Sequence, residues 1–296
     1  SDSKWGNPCI GLDGRVYAFG HWGQSRMAAL DAAGAALGRW KTAQKAPNMI
    51  GDREPLLWGG GAVAEIGGRK FLYHAGGFEY EGENFTNPRS QNKVCYAAIL
   101  PDGSLSDWKL TTPLPYHPMG AGVAAHGGYL HVFSGRAGQF NVGDPVNGMV
   151  DWMHSAKIDD DGSIGPWTRV GSVPIRACGI ASFVRGGCLY VAGGETAGDG
   201  AGTATSFGSA CARARLEGGR AGAWEPLPAL PGLAGKTPHG VIGDWFYVVG
   251  ISDGGKTPVY GVRLPPDDPG RDELARAAAL LDAGEVREAI RAYRRL

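Results

Sequence analysis

The stretch Leu72-Tyr73-His74-Ala75-Gly76-Gly77 decides the fold, because it recurs. Val16-Tyr17-Ala18-Phe19-Gly20, Leu130-His131-Val132-Phe133-Ser134-Gly135, Leu189-Tyr190-Val191-Ala192-Gly193-Gly194 and Phe246-Tyr247-Val248-Val249-Gly250 align with it without gaps. Each copy follows a tight turn: Asp13-Gly14, Gly67-Gly68, Gly127-Gly128, Gly186-Gly187 and Gly243-Asp244. Before the turn stands another short apolar run, such as Gly122-Val123-Ala124-Ala125 or Ile180-Ala181-Ser182-Phe183. Two apolar runs joined by such a turn make a β-hairpin. Their continuous apolarity fits strands covered on both faces.

A second motif interleaves with the first. Trp108, Trp167 and Trp224 lie 59 and 57 residues apart, each after an apolar run and a Gly turn, and each before Leu114-Pro115, Val173-Pro174 or Leu230-Pro231. A looser copy runs through Arg39-Trp40 to Ala46-Pro47. Every unit therefore reads as four strands, a to d: a hairpin a–b, a long connection, then a hairpin c–d that carries the Trp. Four-stranded units repeated at a fixed period make a β-propeller. Five b-strand motifs predict an all-β, five-bladed propeller of four-stranded blades over residues 1–265.

The fifth unit lacks a d strand, since Pro265-Pro266-Asp267-Asp268-Pro269 stops a further central strand. Ser3-Lys4-Trp5 matches Ser106-Asp107-Trp108, so the N-terminal segment is expected to supply the missing strand and remove two sheet edges. Residues 266–296 are expected to form a linker and a short α-helical tail. Leu274, Ala277, Ala278 and Leu281, then Val286, Ala289, Ile290 and Tyr293, recur at helical spacing. Asp282 and Glu285 make a capping box for the second helix.

Composition narrows the function classes. The 50 glycines and 19 prolines among 296 residues interrupt helices, while 43% hydrophobic residues are too many for a disordered chain. Lys plus Arg and Asp plus Glu are both 29, which removes the electrostatic case for nucleic acid or an anionic membrane. No window holds 18 consecutive apolar residues. Ser1 to Trp5 carry no hydrophobic signal segment, and the five cysteines are odd in number with no Cys-x-x-Cys pair. These features lead to the expectation of a cytoplasmic protein with reduced thiols in its strands.

The hairpin Leu-Tyr-Val-x-Gly-Gly followed by Trp and Leu-Pro resembles the kelch repeat, as in propellers of the galactose-oxidase central-domain type, and the tail resembles half a tetratricopeptide repeat. The kelch resemblance implies a protein-interaction scaffold, while a ring of blades would bring equivalent positions together in one axial funnel suited to a small molecule. Glu195-x-x-x-Asp199 is similar to the first part of the Glu-x3-Asp-x3-His motif that plant specifier proteins, also kelch propellers, associate with iron. Thr203 stands where that motif has His. Glu195 and Asp199 are thus the candidate ligands of a divalent metal.

Propeller topology sorts the connections onto two rims. The a–b and c–d turns are short and Gly/Asp-rich, and Asp159-Asp160-Asp161-Gly162 among them reads as a solvated turn. The connections 78–92, 136–150 and 195–208 are long, and long loops on a rigid scaffold carry function. Residues that begin or end the innermost strands on that rim are His21, His117, Arg176, Glu195 and His239, expected to be catalytic. Trp22, Phe78, Glu79, Tyr80, Arg136 and Asp253 are expected to bind substrate. Imidazoles and a carboxylate in one funnel suit proton transfer near neutral pH. The reading is a small-polar-molecule enzyme using acid/base or metal-assisted chemistry. The alternatives are a protein-interaction scaffold and a sugar binder that stacks on Trp22, Phe78, Tyr80 and Phe140. His74, His131 and His154 are expected to be structural, and the Trp series to pack between blades.

Overall fold

In the computed structural model, residues 9–12, 14–19, 24–29, 38–45, 58–81, 87–138, 148–197, 206–235, 239–242, 245–249 and 258–264 are described. The chain divides into two compact units, Ser1–Val262 and Arg263–Leu296. The segments expected to close the ring and to form the helical tail lie outside the described residues.

The first unit is all-β among its described residues, and its strands pair antiparallel. Among the described residues, five sheets built on the quoted hairpins follow one another along the chain. The first holds Cys9–Leu12, Arg15–Phe19, Gln24–Ala29 and Lys41–Lys45. The second holds Gly60–Ile66, Arg69–Ala75, Val94–Ile99 and Lys109–Leu110, and the third Gly122–His126, Tyr129–Phe133, Trp152–Lys157 and Thr168–Ser172. In the fourth, Ala181–Arg185, Cys188–Ala192 and Cys211–Glu217 are joined by Glu225–Leu227. The fifth holds His239–Ile242, Trp245–Val249 and Val259–Arg263. Every quoted b-strand motif is the second strand of its sheet, and the Gly-Gly turns before it adopt positive φ, which two-residue hairpins require.

Strand a of each sheet packs on strand a of the next, from the first sheet to the fifth. The burial is two-sided, as the continuous apolar runs demanded. Tyr17 packs with Leu72, Cys95 and Ala97 between the first two sheets. Phe71, Tyr73 and Tyr96 meet Leu130, Val132 and Ile164 between the next two. Phe133 and Met153 meet Leu189, Val191 and Leu216 after that.

A recurring clasp fixes the spacing. The hydroxyl of Tyr17 in strand b donates to the carbonyl of Gly103 in the c–d turn of the next sheet, 2.9 Å away. Tyr73 does the same to Gly162 at 2.7 Å. The glycine is needed because a Cβ on Gly162 would lie 2.5 Å from the Phe71 ring, and its φ is +89°. The turn itself is held by Asp161, whose carboxylate accepts from the Ser163 amide and hydroxyl, as Asp102 does from Ser104. Those hydrogen bonds hold both carboxyls below the usual range. Asp159 to Asp161 are exposed turn residues, as expected.

Two tryptophans of the series bridge sheets through their indole N–H groups, whereas Trp40, expected to pack between blades, is exposed. Trp167 donates to the Thr112 carbonyl at 3.0 Å and Trp224 to the Ser172 carbonyl at 3.1 Å, each in the outer part of the preceding sheet. Thr112 answers by donating to the Ile164 carbonyl. Each neutral bond of this kind contributes about 1 kcal/mol net.

Two expectations need correction. The described ends of the long b–c connections are paired strands, not loop. Phe78–Glu81 pairs with Asn87–Ser90, Arg136–Ala137 with Gly148–Met149, and Glu195–Ala197 with Ser206–Phe207, so each connection is rooted in a small antiparallel arm. Cys178 lies in an isolated bridge before its sheet, not within a named strand. Cys95, Cys188 and Cys211 do lie in strands, and all four are free thiols.

Candidate functional site

The site grows from the residues that end strand b. Gly76-Gly77, Ser134-Gly135 and Gly193-Gly194 all have positive φ, from 58° to 100°. The second residue of each pair donates its N–H to a carbonyl in the segment entering the next sheet: Gly77 to Pro118, Gly135 to Ala177 and Gly194 to Ala234, at 2.7–2.8 Å. A Cβ on Gly76 or Gly193 would press on the same carbonyls at 2.7 and 2.6 Å, which is why glycine suits these positions. The next residue begins each arm. In chain order these are Phe78, Arg136 and Glu195.

A second set of equivalent positions precedes strand a. Trp58, Gly120 and Gly179 share left-handed φ values of 56°, 60° and 65°. The Gly120 N–H donates to the Trp58 carbonyl at 2.8 Å, and the Gly179 N–H to the Gly120 carbonyl at 2.7 Å. This backbone chain runs from sheet to sheet. Beside it lies an apolar cluster of Trp58, Phe78, Met119, Met149 and Cys178, with Trp58 edge-on to Phe78 at 5.8 Å. Glu195 exchanges both backbone hydrogen bonds with Cys178, at 2.8 and 2.9 Å.

The expected site residues divide accordingly. Glu195 is completely buried, a costly location for a carboxylate. Arg136 is half-buried and is the cross-strand partner of both Met119 and Met149. Phe78 is buried in the apolar cluster. Glu79 and Tyr80 belong to the first arm. His117 is half-buried, and its carbonyl accepts from Gly138 at the root of the second arm. Arg176 is exposed, and its Nε donates to the Met149 carbonyl. Cys178 joins Glu195 to the Arg176 segment, so Arg136, Arg176 and Glu195 share one end of the third and fourth sheets. His239 sits at the start of the fifth sheet, where its Nε2 accepts the Ser182 N–H at 3.2 Å. His21, Trp22, Asp199 and Asp253 lie outside the described residues.

His74, His131 and His154 are buried, in keeping with the structural reading. His74 is buried beneath Gly59, where a Cβ would lie 2.2 Å from its ring, and burial lowers its pKa to about 4. His131 takes the place of the clasp tyrosine and instead bonds Ser155 through Nδ1 at 2.6 Å. Its pKa falls to about 4 through burial and the neighbouring His126. His154 lies against Tyr116, ring centroids 5.0 Å apart, and burial with the Arg169 charge lowers it to about 4. All three are neutral at pH 7.

Among solved structures, that of YjhT superposes with a TM-score of 0.57 over 83% of this chain and 72% of that one, at 16% identity. The likeness is one of fold alone. No family model matches the sequence, and no curated protein does. Among the described residues no group of three His, Cys, Asp or Glu side chains could hold a metal ion. Glu195 is the one described member of the Glu195/Asp199 pair, so the described residues do not form a metal centre.

Sequence reasoning missed Trp58 and Ser134, the two described non-glycine residues with positive φ. The alignment held a signal for Ser134, which stands where Gly76 and Gly193 stand in neighbouring units. Trp58 had none, because its equivalents Gly120 and Gly179 lie in the unaligned approach to strand a.

Proposed function

We propose that the chain is a kelch-like, five-bladed β-propeller with a helical tail, which binds a small polar molecule at the arm-bearing end of its axis and acts on it by acid/base chemistry in the cytoplasm. The carrying observation is the complete burial of Glu195 at the position where the neighbouring sheets hold Phe78 and Arg136. A buried carboxylate next to an apolar cluster and an arginine-bearing arm is an arrangement that active sites use. In this reading Glu195 is the general base. His117 and His239 are candidate proton carriers. Arg136 and Arg176 orient the substrate, and Trp58, Phe78, Met119 and Met149 exclude water. A metal at Glu195 and Asp199 would need a ligand from outside the described residues.

The test is a thermal-shift screen against a library of small polar metabolites with wild type, Glu195→Gln and His239→Ala. Hits that vanish in Glu195→Gln, with its own melting temperature preserved, support the site. Hits that survive both substitutions overturn it. Loss of binding only on changing the arm residues Glu79 and Arg89 would favour a protein-interaction scaffold.

A further inference from the structure

We infer that Arg176 is an oxyanion anchor held in place by Ser134, and that the molecule bound at this end of the propeller carries a carboxylate or phosphate group. This assignment rests on the proposed small-molecule site and adds the class of its ligand.

The argument begins with Ser134. Its backbone is left-handed, at a position where Gly76 and Gly193 serve elsewhere, so a Cβ is tolerated there at a cost. Its hydroxyl, completely buried, is the compensation. Oγ accepts the Ala177 N–H at 3.0 Å, and its single proton has the carbonyls of Ala177 at 2.7 Å, Ile175 at 2.9 Å and Val150 at 3.3 Å as alternative acceptors. The Gly135 N–H adds a further bond to the Ala177 carbonyl at 2.8 Å. The peptide groups on both sides of Arg176 are therefore gripped by one buried side chain from the preceding sheet.

The side chain is fixed as well. Arg176 Nε donates to the Met149 carbonyl, and Met149 is also the cross-strand partner of Arg136. One residue thus ties both arginines to the root of one arm. Arg176 is exposed, and with Nε committed to Met149 its two Nη groups are the donors left for a ligand. A planar guanidinium already held through Nε loses little entropy on binding two oxygens of a carboxylate or phosphate. An arginine with a solubility role alone needs neither the Met149 bond nor the strained serine.

The experiment titrates the full chain with sodium acetate and, separately, inorganic phosphate at constant ionic strength, with chloride as control, by calorimetry. Wild type should bind at least one of the two anions saturably, and the preferred anion identifies the oxyanion. Arg176→Gln should weaken that binding by about tenfold and Arg176→Lys by less. Ser134→Gly should weaken it while the circular dichroism spectrum stays native, since glycine already serves at 76 and 193. No saturable binding by wild type, or equal binding by Arg176→Gln, overturns the anchor. If the metabolite hits still depend on Glu195 in that case, the site stands and only the anchor falls.

Discussion

The hydroxyl of Tyr73 donates to the carbonyl of Gly162 at 2.7 Å, across 89 residues of chain and from one sheet to the next. Tyr17 and Gly103 repeat the contact one sheet earlier. Periodicity in the sequence thus becomes a repeated hydrogen bond between neighbouring sheets, which sets their spacing and, with it, the spacing of the arms.

Tyr73→Phe should destabilise the protein by about 1 kcal/mol, because the buried Gly162 carbonyl loses its donor while the ring stays packed. Gly162→Ala should cost more, about 2 kcal/mol or above, since its Cβ meets Phe71 and its φ is +89°. Urea unfolding measures both. Equal costs would show that the hydroxyl, and not the turn geometry, governs the interface.

At Ser134 the order of two substitutions is diagnostic. Ser134→Ala keeps a Cβ in the left-handed region and removes the partner of the Ala177 N–H. Ser134→Gly removes the same partner but relieves the backbone. Alanine should therefore be the less stable by about 1 kcal/mol, read as a lower melting temperature. The opposite order would mean that the serine backbone is unstrained.

Acid should unfold the protein through its buried imidazoles. His74, His131 and His154 have folded pKa values of about 4 against an ordinary 6.5, so the unfolded chain takes up the protons first. Their contribution is complete above pH 6.5 and is lost as pH falls from there toward 4. Each can contribute up to about 3 kcal/mol. Replacing His131 by Asn should flatten the decline of stability between pH 6.5 and 4. A decline that stays equally steep would assign the acid sensitivity elsewhere.

Thiol labelling of the native protein, mapped by mass spectrometry, should spare Cys95 and Cys178, which are almost completely buried. Cys188 and Cys211 are half-buried and should react slowly, Cys211 the more so because burial raises its pKa. Rapid modification of Cys178 would mean that the apolar cluster around it opens.

The sequence alone determined the repeat, the strand order within each sheet and the two-residue turns. Those depend on apolar runs and on Gly pairs such as Gly67-Gly68, where the local backbone preference and the fold agree. It also marked Glu195, Arg136 and Phe78 as equivalent positions after strand b. Only the tertiary structure decided which of them is completely buried, that the described ends of the long connections are paired strands, and that His239 spends its Nε2 on Ser182. It alone turned Ser134, a serine at an aligned glycine position, into the clamp on Arg176. For Ser134 and His239 the physical reason is that their contacts are hydrogen bonds between sheets, linking residues some 40 to 60 positions apart, as Ser134 to Ala177 and Ser182 to His239. A repeat predicts that neighbouring units will touch. Which side chain fills each contact depends on the packing between two differently substituted copies.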